Sequence, residues 1–130
     1  MSKFYIASSF MNIDKVRQVS GQLKEKGFIH TYDWTQNERA ATLEDLKVIG
    51  EKELSAVVEA DFLIVMLPAG KGSHIEFGIA LGQGKKIYLF SENHDIDNIE
   101  STSTFYHLDN VEKISGTIEE LVKRVSLEEE

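Results

Sequence analysis

Residues 61–90 read DFLIVMLPAGKGSHIEFGIALGQGKKIYLF and decide the fold. A buried apolar strand is predicted at residues 62–67, followed by a glycine-rich loop at residues 68–73 and a helix that begins near His74. A second apolar strand follows at residues 87–90. Two strands joined by a helix pair in parallel, because the crossover returns the chain to the same end of the sheet. The stretch therefore predicts an open α/β sheet with its ligand crevice at the carboxyl ends of the strands.

The same alternation extends to both ends of the chain. Further strands are predicted at residues 4–7, 28–32 and 111–114, and a long polar segment at residues 91–106 precedes the last of them. The pattern predicts one doubly wound, Rossmann-like domain of the α/β class. Its five parallel strands are expected in the order 2-1-3-4-5, with helices on both faces. We assign residues 1–127 to this domain and residues 128–130 to a solvated, frayed acidic tail.

The helices are predicted from apolar residues at helical spacing. Thr42 with Asp45, and Thr117 with Glu120, match N-terminal capping pairs. The helix from about His74 is apolar nearly all round and is expected to be buried. The first helix is expected to turn inward Ile13, Val16, Val19, Ser20 and Leu23. The second is expected to turn inward Leu43, Leu46, Gly50, Leu54, Val57 and Val58, and the last Ile118, Leu121, Val122 and Val125.

Composition excludes several classes of function. The chain has 130 residues, no cysteine and a net charge of −8, from 14 basic and 22 acidic residues. Such a surface is expected to repel a nucleic-acid polymer but not a small nucleotide. No apolar run approaches the roughly 20 residues that span a bilayer, and the start does not resemble a signal peptide, so a cytoplasmic location is expected. The four histidines lack metal-binding spacing, so we expect no metal and no other cofactor.

Glu76 is the leading candidate for chemistry. In the predicted arrangement it lies in the first turn of the helix, where free N–H groups and a partial positive charge favour an ionised carboxylate. We expect it to act at a ligand site as a nucleophile or a hydroxyl-binding group. Ser73 and Glu76 also match the S-x-x-E capping box, so a structural role is the alternative.

Polar and aromatic residues follow the first two predicted strands. Ser8 and Ser9 can bind a phosphate or a ribose hydroxyl, and Tyr5 before them is either part of the site or a core aromatic. Asp33 and Trp34 end the second strand, where the indole can stack on a nucleobase or fill the core.

The loop before the third helix supplies further candidates. Gly70 and Gly72 allow the backbone to approach a sugar or a phosphate, or serve only a tight turn. The loop has neither P-loop nor dinucleotide-binding spacing. His74 can assist proton transfer or be structural.

These residues resemble the nucleoside 2-deoxyribosyltransferase family over most of the domain. The resemblance rests on FYIASSF at residues 4–10, the Ala-Asp-strand-Pro segment at residues 60–68, and GSHIEFGIALGQGKKIYLF from Gly72. It implies that Glu76, in an E-x-G-x-A context, attacks the anomeric carbon and displaces the base, and that Tyr5 holds this glutamate. A second base or water then takes the sugar.

The chain also departs from the family pattern. Glu53 stands eight residues before Asp61, where the family has an aspartate that handles the leaving base. No arginine follows the first strand, although nucleotide-hydrolysing relatives have one. Ser101 and Ser103 correspond in place to a polar residue that the family takes from a neighbouring subunit, so the resemblance implies a homodimer or a higher homo-oligomer.

Two other classes of function compete with this interpretation. A nucleotide-binding sensor related to TIR modules, non-catalytic or directed at NAD, would share the fold and accommodate the departures. A structural subunit of a larger assembly is supported only by the long segment at residues 91–106 and the acidic tail.

Overall fold

The computed structural model describes residues 2–130 and contains one five-stranded sheet. All neighbouring strands pair in parallel, in the order β2-β1-β3-β4-β5. This confirms the predicted fold class and strand order. The strands are β1 (Lys3–Ser8), β2 (Ile29–His30), β3 (Phe62–Met66), β4 (Lys86–Ser91) and β5 (Val111–Ser115).

Four helices cover the two faces of the sheet. Helix α1 packs with α4, and α2 packs with α3. The helices are α1 (Ile13–Glu25), α2 (Leu43–Glu59), α3 (Lys71–Gly82) and α4 (Ile118–Glu129). Short 3-10 turns lie at Phe10–Asn12, Trp34–Gln36, Asp95–Asp97 and Thr104–His107. None of the helices in residues 2–130 is long and apolar enough to cross a bilayer.

The core lies along β1, β3 and β4, whose apolar residues are almost fully buried on both faces of the sheet. In α1 the expected inward residues from Val16 to Leu23 are buried, and so are all four named for α4. Both predicted capping pairs form, at Thr42–Asp45 and Thr117–Glu120. Gly27 follows α1 with φ +97°, a conformation that glycine adopts without strain.

The largest differences from the predicted element boundaries are in β2 and α3. Strand β2 has only two residues, Ile29 and His30, rather than the five predicted at residues 28–32. Helix α3 begins at Lys71 rather than near His74, and its N-cap is Gly70, which makes no side-chain cap bond. Ser73 is therefore a buried residue inside the helix, and the Ser73–Glu76 capping box does not form.

The prediction that α2 turns its apolar residues inward is largely wrong. Of the six residues named, only Val57 is buried, and Leu43, Leu46, Leu54 and Val58 are 85%, 55%, 49% and 45% exposed. The apolar spacing is present, but within residues 2–130 nothing packs over this side of the helix. Helix α3 is likewise not buried all round, because Ile75 is 65% exposed.

The acidic C-terminus is more ordered than expected. Helix α4 continues through Glu129, so two of the three glutamates predicted to form a frayed tail are helical. The Tyr88 hydroxyl donates a 2.6 Å hydrogen bond to the Glu129 carboxylate, and Lys86 lies 3.6 Å from Glu128. The end of the chain is thereby attached to β4.

Candidate functional site

One tyrosine hydroxyl contacts two carboxylates on the sheet face covered by α2 and α3. Tyr5 Oη donates a hydrogen bond to Glu76 Oε2 at 2.7 Å and lies 3.4 Å from Glu53 Oε2. The contact between Tyr5 and Glu76 was expected and is confirmed. Tyr5 and Glu76 are buried and Glu53 is half-buried, so these groups interact in a medium less polar than water.

The local sequence places each of the three side chains. Tyr5 lies in β1, which pairs with β3 along its length. In α3, residues Ser73, Glu76, Phe77 and Ala80 form the buried face, since their spacing of three, four and seven residues is that of one helix side. Glu76 is thus a carboxylate on an otherwise apolar or small face. It lies in the second turn of α3 and not in the first, where the sequence had placed it.

The two carboxylates shift each other's ionisation. Burial raises the pKa of Glu76 to about 8; the Tyr5 hydrogen bond opposes this shift, and the neighbouring Glu53 adds to it. Burial also raises the pKa of Glu53, while hydrogen bonds from Glu76 and Tyr5 lower it. Two like charges so close together do not both ionise readily, so the pair holds one proton at neutral pH. The expectation that Glu76 sits ionised is therefore corrected for the free protein.

A separate cleft opens at the carboxyl ends of β3 and β4. Its volume is about 590 Å³, and neither Tyr5, Glu53 nor Glu76 lines it. Predicted site residues His74 and Ser101 do line it. Other polar and charged residues in its wall are Asn12, Lys15, Ser91, Glu92, Asn93, Asp95, Thr102 and Tyr106. The predicted site residues thus fall into at least two places, the buried carboxylate centre and this open cleft.

His74 connects the start of α3 with the long segment after β4. Its Nδ1 lies 2.8 Å from the Gly70 carbonyl oxygen and its Nε2 lies 2.6 Å from Tyr106 Oη. A carbonyl only accepts, so Nδ1 donates to it, and in the neutral imidazole Nε2 then accepts from the tyrosine. Tyr106 was missed by the sequence argument, because no spacing rule relates residues 32 positions apart.

The residues after β1 and β2 have structural partners. Ser8 Oγ donates to the Met66 carbonyl at 2.7 Å and accepts from Asn12 Nδ2 at 3.0 Å, and Ser9 caps the 3-10 turn that follows.

The Trp34 indole is buried and its N–H donates to the Ile6 carbonyl at 2.7 Å. Asp33 caps the turn at Trp34–Gln36 by accepting from the Thr35 N–H. Asn12, buried beneath the cleft, was also missed, although a polar residue after a first strand is a usable signal.

The remaining candidates lie around α3 and the long segment. Gly70 and Gly72 both face open space, since a Cβ added at either would meet no atom within 4 Å, so packing in the described chain does not require glycine there. Ser103 caps the 3-10 turn at Thr104–His107, while Ser101 faces the cleft. Across residues 2–130, no group of three His, Asp or Glu side chains gathers as metal ligands would.

Fold and site together define a doubly wound α/β protein with a buried tyrosine–dicarboxylate centre and a separate polar cleft. A scan of protein-family models and a search of curated proteins found no match to this chain.

Among solved structures, the chain is similar to the CMP N-glycosidase BcmB of Clostridium botulinum. The two share 21% identity over 96% of this chain and 98% of that one, with a TM-score of 0.62. A conserved protein from Enterococcus faecalis V583 gives 12% identity, 98% and 99% coverage and a TM-score of 0.63. A de novo designed Rossmann 2x3 protein gives 21% identity, 99% and 91% coverage and a TM-score of 0.56. Because a designed protein matches at the same identity as the glycosidase, these likenesses establish the fold alone.

Proposed function

We propose that this protein cleaves or transfers the N-glycosidic bond of a nucleoside, deoxynucleoside or nucleotide, with Glu76 as the nucleophile. The observation that carries the proposal is the 2.7 Å hydrogen bond from Tyr5 to Glu76, with Glu53 on the same hydroxyl. Two carboxyl groups that share a proton match the needs of glycosidic cleavage, which requires one nucleophile and one acid. The fold that this chain shares with a CMP N-glycosidase supports the same class of reaction.

In the proposed reaction the shared proton resides on Glu53 when the substrate is bound. A Glu76 oxygen bonds to the anomeric carbon as the bond from that carbon to the base nitrogen breaks, and the Glu53 proton passes to the departing base. Water or a second base then attacks the anomeric carbon, and Glu76 leaves as a carboxylate. The proton released by the attacking group returns to Glu53. Tyr5 orients Glu76 and stabilises its charged form by donating a hydrogen bond.

The substrate-binding roles named from the sequence belong to the same proposal. We assign the sugar and any phosphate to the start of α3, at Gly70, Gly72, Ser73 and His74, with the Ser8–Ser9 turn beside it. Asp33 and Trp34 would border the base. Ser101 and Ser103 would complete a site from the long segment, in this or a neighbouring subunit of a homodimer or higher homo-oligomer.

The test is base release from a panel of deoxynucleosides, nucleosides, nucleotides and NAD, with wild-type protein and Glu76→Gln. Glutamine keeps the shape of the side chain but neither attacks carbon nor carries charge. Base release should fall by orders of magnitude, while the melting temperature stays within a few degrees of the wild type. Glu119→Gln, on exposed α4 surface, is the matched control and should keep full activity. An activity undiminished in Glu76→Gln would refute the nucleophile.

A nucleotide-binding sensor of TIR-related type is the second candidate. It is favoured by one observation: Glu76 is buried and does not line the cleft at the carboxyl ends of β3 and β4, although a catalytic carboxylate must reach its substrate. In the same panel, tight binding of a nucleotide with no release of base from any compound would favour the sensor over the enzyme.

A further inference from the structure

Asn12 brings a fixed hydrogen-bond acceptor to the wall of the cleft at the carboxyl ends of β3 and β4. The residue is only 8% exposed. The Met66 carbonyl can only accept, so the Ser8 hydroxyl gives its one proton to that carbonyl and must accept from Asn12. The atom of Asn12 at 3.0 Å from Ser8 Oγ is therefore the amide nitrogen Nδ2, which also lies 3.5 Å from the Pro68 carbonyl oxygen. The amide oxygen Oδ1 accepts no hydrogen bond within residues 2–130, so it is the polar atom that Asn12 can offer to a ligand.

The basic side chains in the wall of the cleft already have partners. Lys15 forms a salt bridge with Glu92, which also lines the cleft. Both ring nitrogens of His74 are hydrogen-bonded within the chain. Asp95 adds a second carboxylate to the wall, and it takes part in no salt bridge within residues 2–130. With histidine counted as neutral, one lysine stands against two carboxylates, so the lining side chains carry a formal net charge of −1.

The start of α3 borders the same cleft, because Ala69 and His74 line it. Helix α3 has no side-chain cap at Gly70, so the first N–H groups of the helix are available as donors. The partial positive charge of a helix N-terminus is about half a unit, which is smaller than the net charge of −1 on the side chains around the cleft. The cleft therefore offers donors and an acceptor together, without a net positive charge.

We propose that this cleft receives the 5′-hydroxyl of a nucleoside and that Asn12 selects this group against a 5′-phosphate. The assignment rests on the proposed function, which places the anomeric carbon at Glu76. His74 lies two residues before Glu76 in α3 and lines the cleft, so the cleft is beside the sugar. A hydroxyl matches the wall, because it donates to Asn12 Oδ1 and accepts from an N–H group at the start of α3. An ionised phosphate oxygen donates nothing, and its charge is repelled by Glu92 and Asp95.

Binding to Glu76→Gln tests the assignment without turnover. For each common nucleobase, isothermal titration compares three ligands: the nucleoside, its 5′-monophosphate, and the 5′-deoxy analogue that lacks the hydroxyl. The nucleoside of the preferred base should bind at least about tenfold more tightly than either of the other two, since each of those loses the hydrogen bond to Asn12. Asn12→Ala in the same background should bring the affinity for the nucleoside down to that for the 5′-deoxy analogue.

A second pair of substitutions tests the charge of the cleft and does not depend on Asn12→Ala folding. Glu92→Gln with Asp95→Asn removes both carboxylates and frees Lys15. The affinity for the 5′-monophosphate should then rise at least about tenfold relative to that for the nucleoside. Asp109→Asn with Glu119→Gln is the matched control, because both residues are exposed and neither lines the cleft. It should leave the preference for the nucleoside unchanged.

Base release by the wild type separates this assignment from the proposed reaction. If base is released from 5′-monophosphates and not from nucleosides, the reaction stands and the 5′-hydroxyl assignment is overturned. If the three ligands bind in the expected order and no base is released, the assignment is supported and the nucleophile at Glu76 is refuted. A 5′-monophosphate that binds Glu76→Gln as tightly as the nucleoside, or no binding of any of the three ligands, would also overturn the assignment.

Discussion

Tyr5 controls the charge state of two carboxylates through one hydroxyl group. The hydroxyl is 2.7 Å from Glu76 and 3.4 Å from Glu53, so its proton stabilises Glu76 first. Burial raises the pKa of the tyrosine itself, and the two carboxylates raise it further, so Tyr5 stays protonated and acts only as a donor. The pair therefore depends on this bond to bring the ionised form of Glu76 within reach of neutral pH.

Tyr5→Phe should move the pH profile of base release upward. A hydrogen bond to a charged group contributes roughly 1.5–3 kcal/mol, and one pH unit corresponds to about 1.4 kcal/mol. In the wild type, activity should fall on the alkaline side at a pH of about 8, the pKa of Glu76, where the pair loses its shared proton. Without the Tyr5 hydroxyl, this alkaline fall should move up by roughly one to two pH units in a plot of kcat/KM against pH.

The control for this measurement is Tyr88→Phe. Tyr88 also donates to a carboxylate, but its partner is Glu129 at the chain terminus, outside the candidate site. Removal of the Tyr88 hydroxyl should leave the pH profile of base release unchanged. If the profile does not shift in Tyr5→Phe either, the Tyr5 hydroxyl does not set the ionisation of the carboxylate pair.

Stability should fall between neutral pH and about pH 8. The folded protein keeps the proton of Glu76 up to about pH 8, while the unfolded chain loses it near 4.5, so rising pH favours unfolding across that window. His30 acts with the opposite sign at lower pH. Burial lowers the pKa of His30 from 6.5 to about 4, so its contribution to stability is lost as the pH falls through that range. Above about pH 6.5 only the carboxylate pair remains.

The free energy of unfolding, from urea titrations, should therefore decline above pH 6.5 by at most about 1.4 kcal/mol per unit, the slope of one proton. Glu76→Gln removes that proton and should flatten the decline. If the wild type and Glu76→Gln lose the same stability over this pH range, the decline is caused by other groups.

At this scale the sequence predicts contacts better than charge states. The Tyr5–Glu76 pair was expected because the resemblance to the nucleoside 2-deoxyribosyltransferase family implied it, whereas the residues alone left Tyr5 as either a site residue or a core aromatic. The single shared proton was not, since it depends on Glu53, whose distance from the tyrosine hydroxyl follows from packing. The bond between His74 and Tyr106 was missed for a related reason: nothing local to either residue indicates the other.

At the scale of elements, α2 shows where pattern analysis reaches its limit. Its apolar spacing correctly predicts a helix, and its capping box at Thr42 correctly predicts where the helix begins. The same spacing wrongly predicts burial, because a pattern reports that a face will be covered without saying by which chain. Helix α4 has a comparable pattern and capping box, and there the described chain does cover the apolar side.

Helix α3 shows a different limit. Its glycines and the S-x-x-E spacing favour a loop and a later start, yet the helix begins at Lys71 with no side-chain cap. The burial of Ser73 and Phe77 against the sheet holds the first turns in place. Tertiary packing has thus overridden the local capping signal at Ser73. The earlier start of α3 places Glu76 in the second turn of the helix, one turn further in than the sequence indicated.

At the scale of the whole molecule, strand order was the most predictable feature. Alternating strands and helices with right-handed crossovers leave few arrangements of five parallel strands, and the order β2-β1-β3-β4-β5 is one of them. Contacts between distant parts of the chain were the least predictable. The attachment of the C-terminus to β4 is the clearest case, because the last three glutamates look like a solvated tail in the sequence.

Removal of residues 128–130 should therefore destabilise the protein. The deletion takes away the carboxylate that accepts from Tyr88, and it removes Glu128 from Lys86. The Lys86 pair is partly exposed and contributes little, and Lys86 keeps Glu112 at 3.0 Å. The tyrosine bond is the larger loss, so the free energy of unfolding should fall by about 1–2 kcal/mol in urea titrations.

Tyr88→Phe separates this bond from general effects of truncation. If the bond is responsible, the deletion should cost clearly less in the Tyr88→Phe background than in the wild type, because its partner is already gone. Equal costs in the two backgrounds would mean that the Tyr88 bond is not the cause, and no cost in the wild type would mean that the terminal glutamates are solvated as the sequence alone suggests.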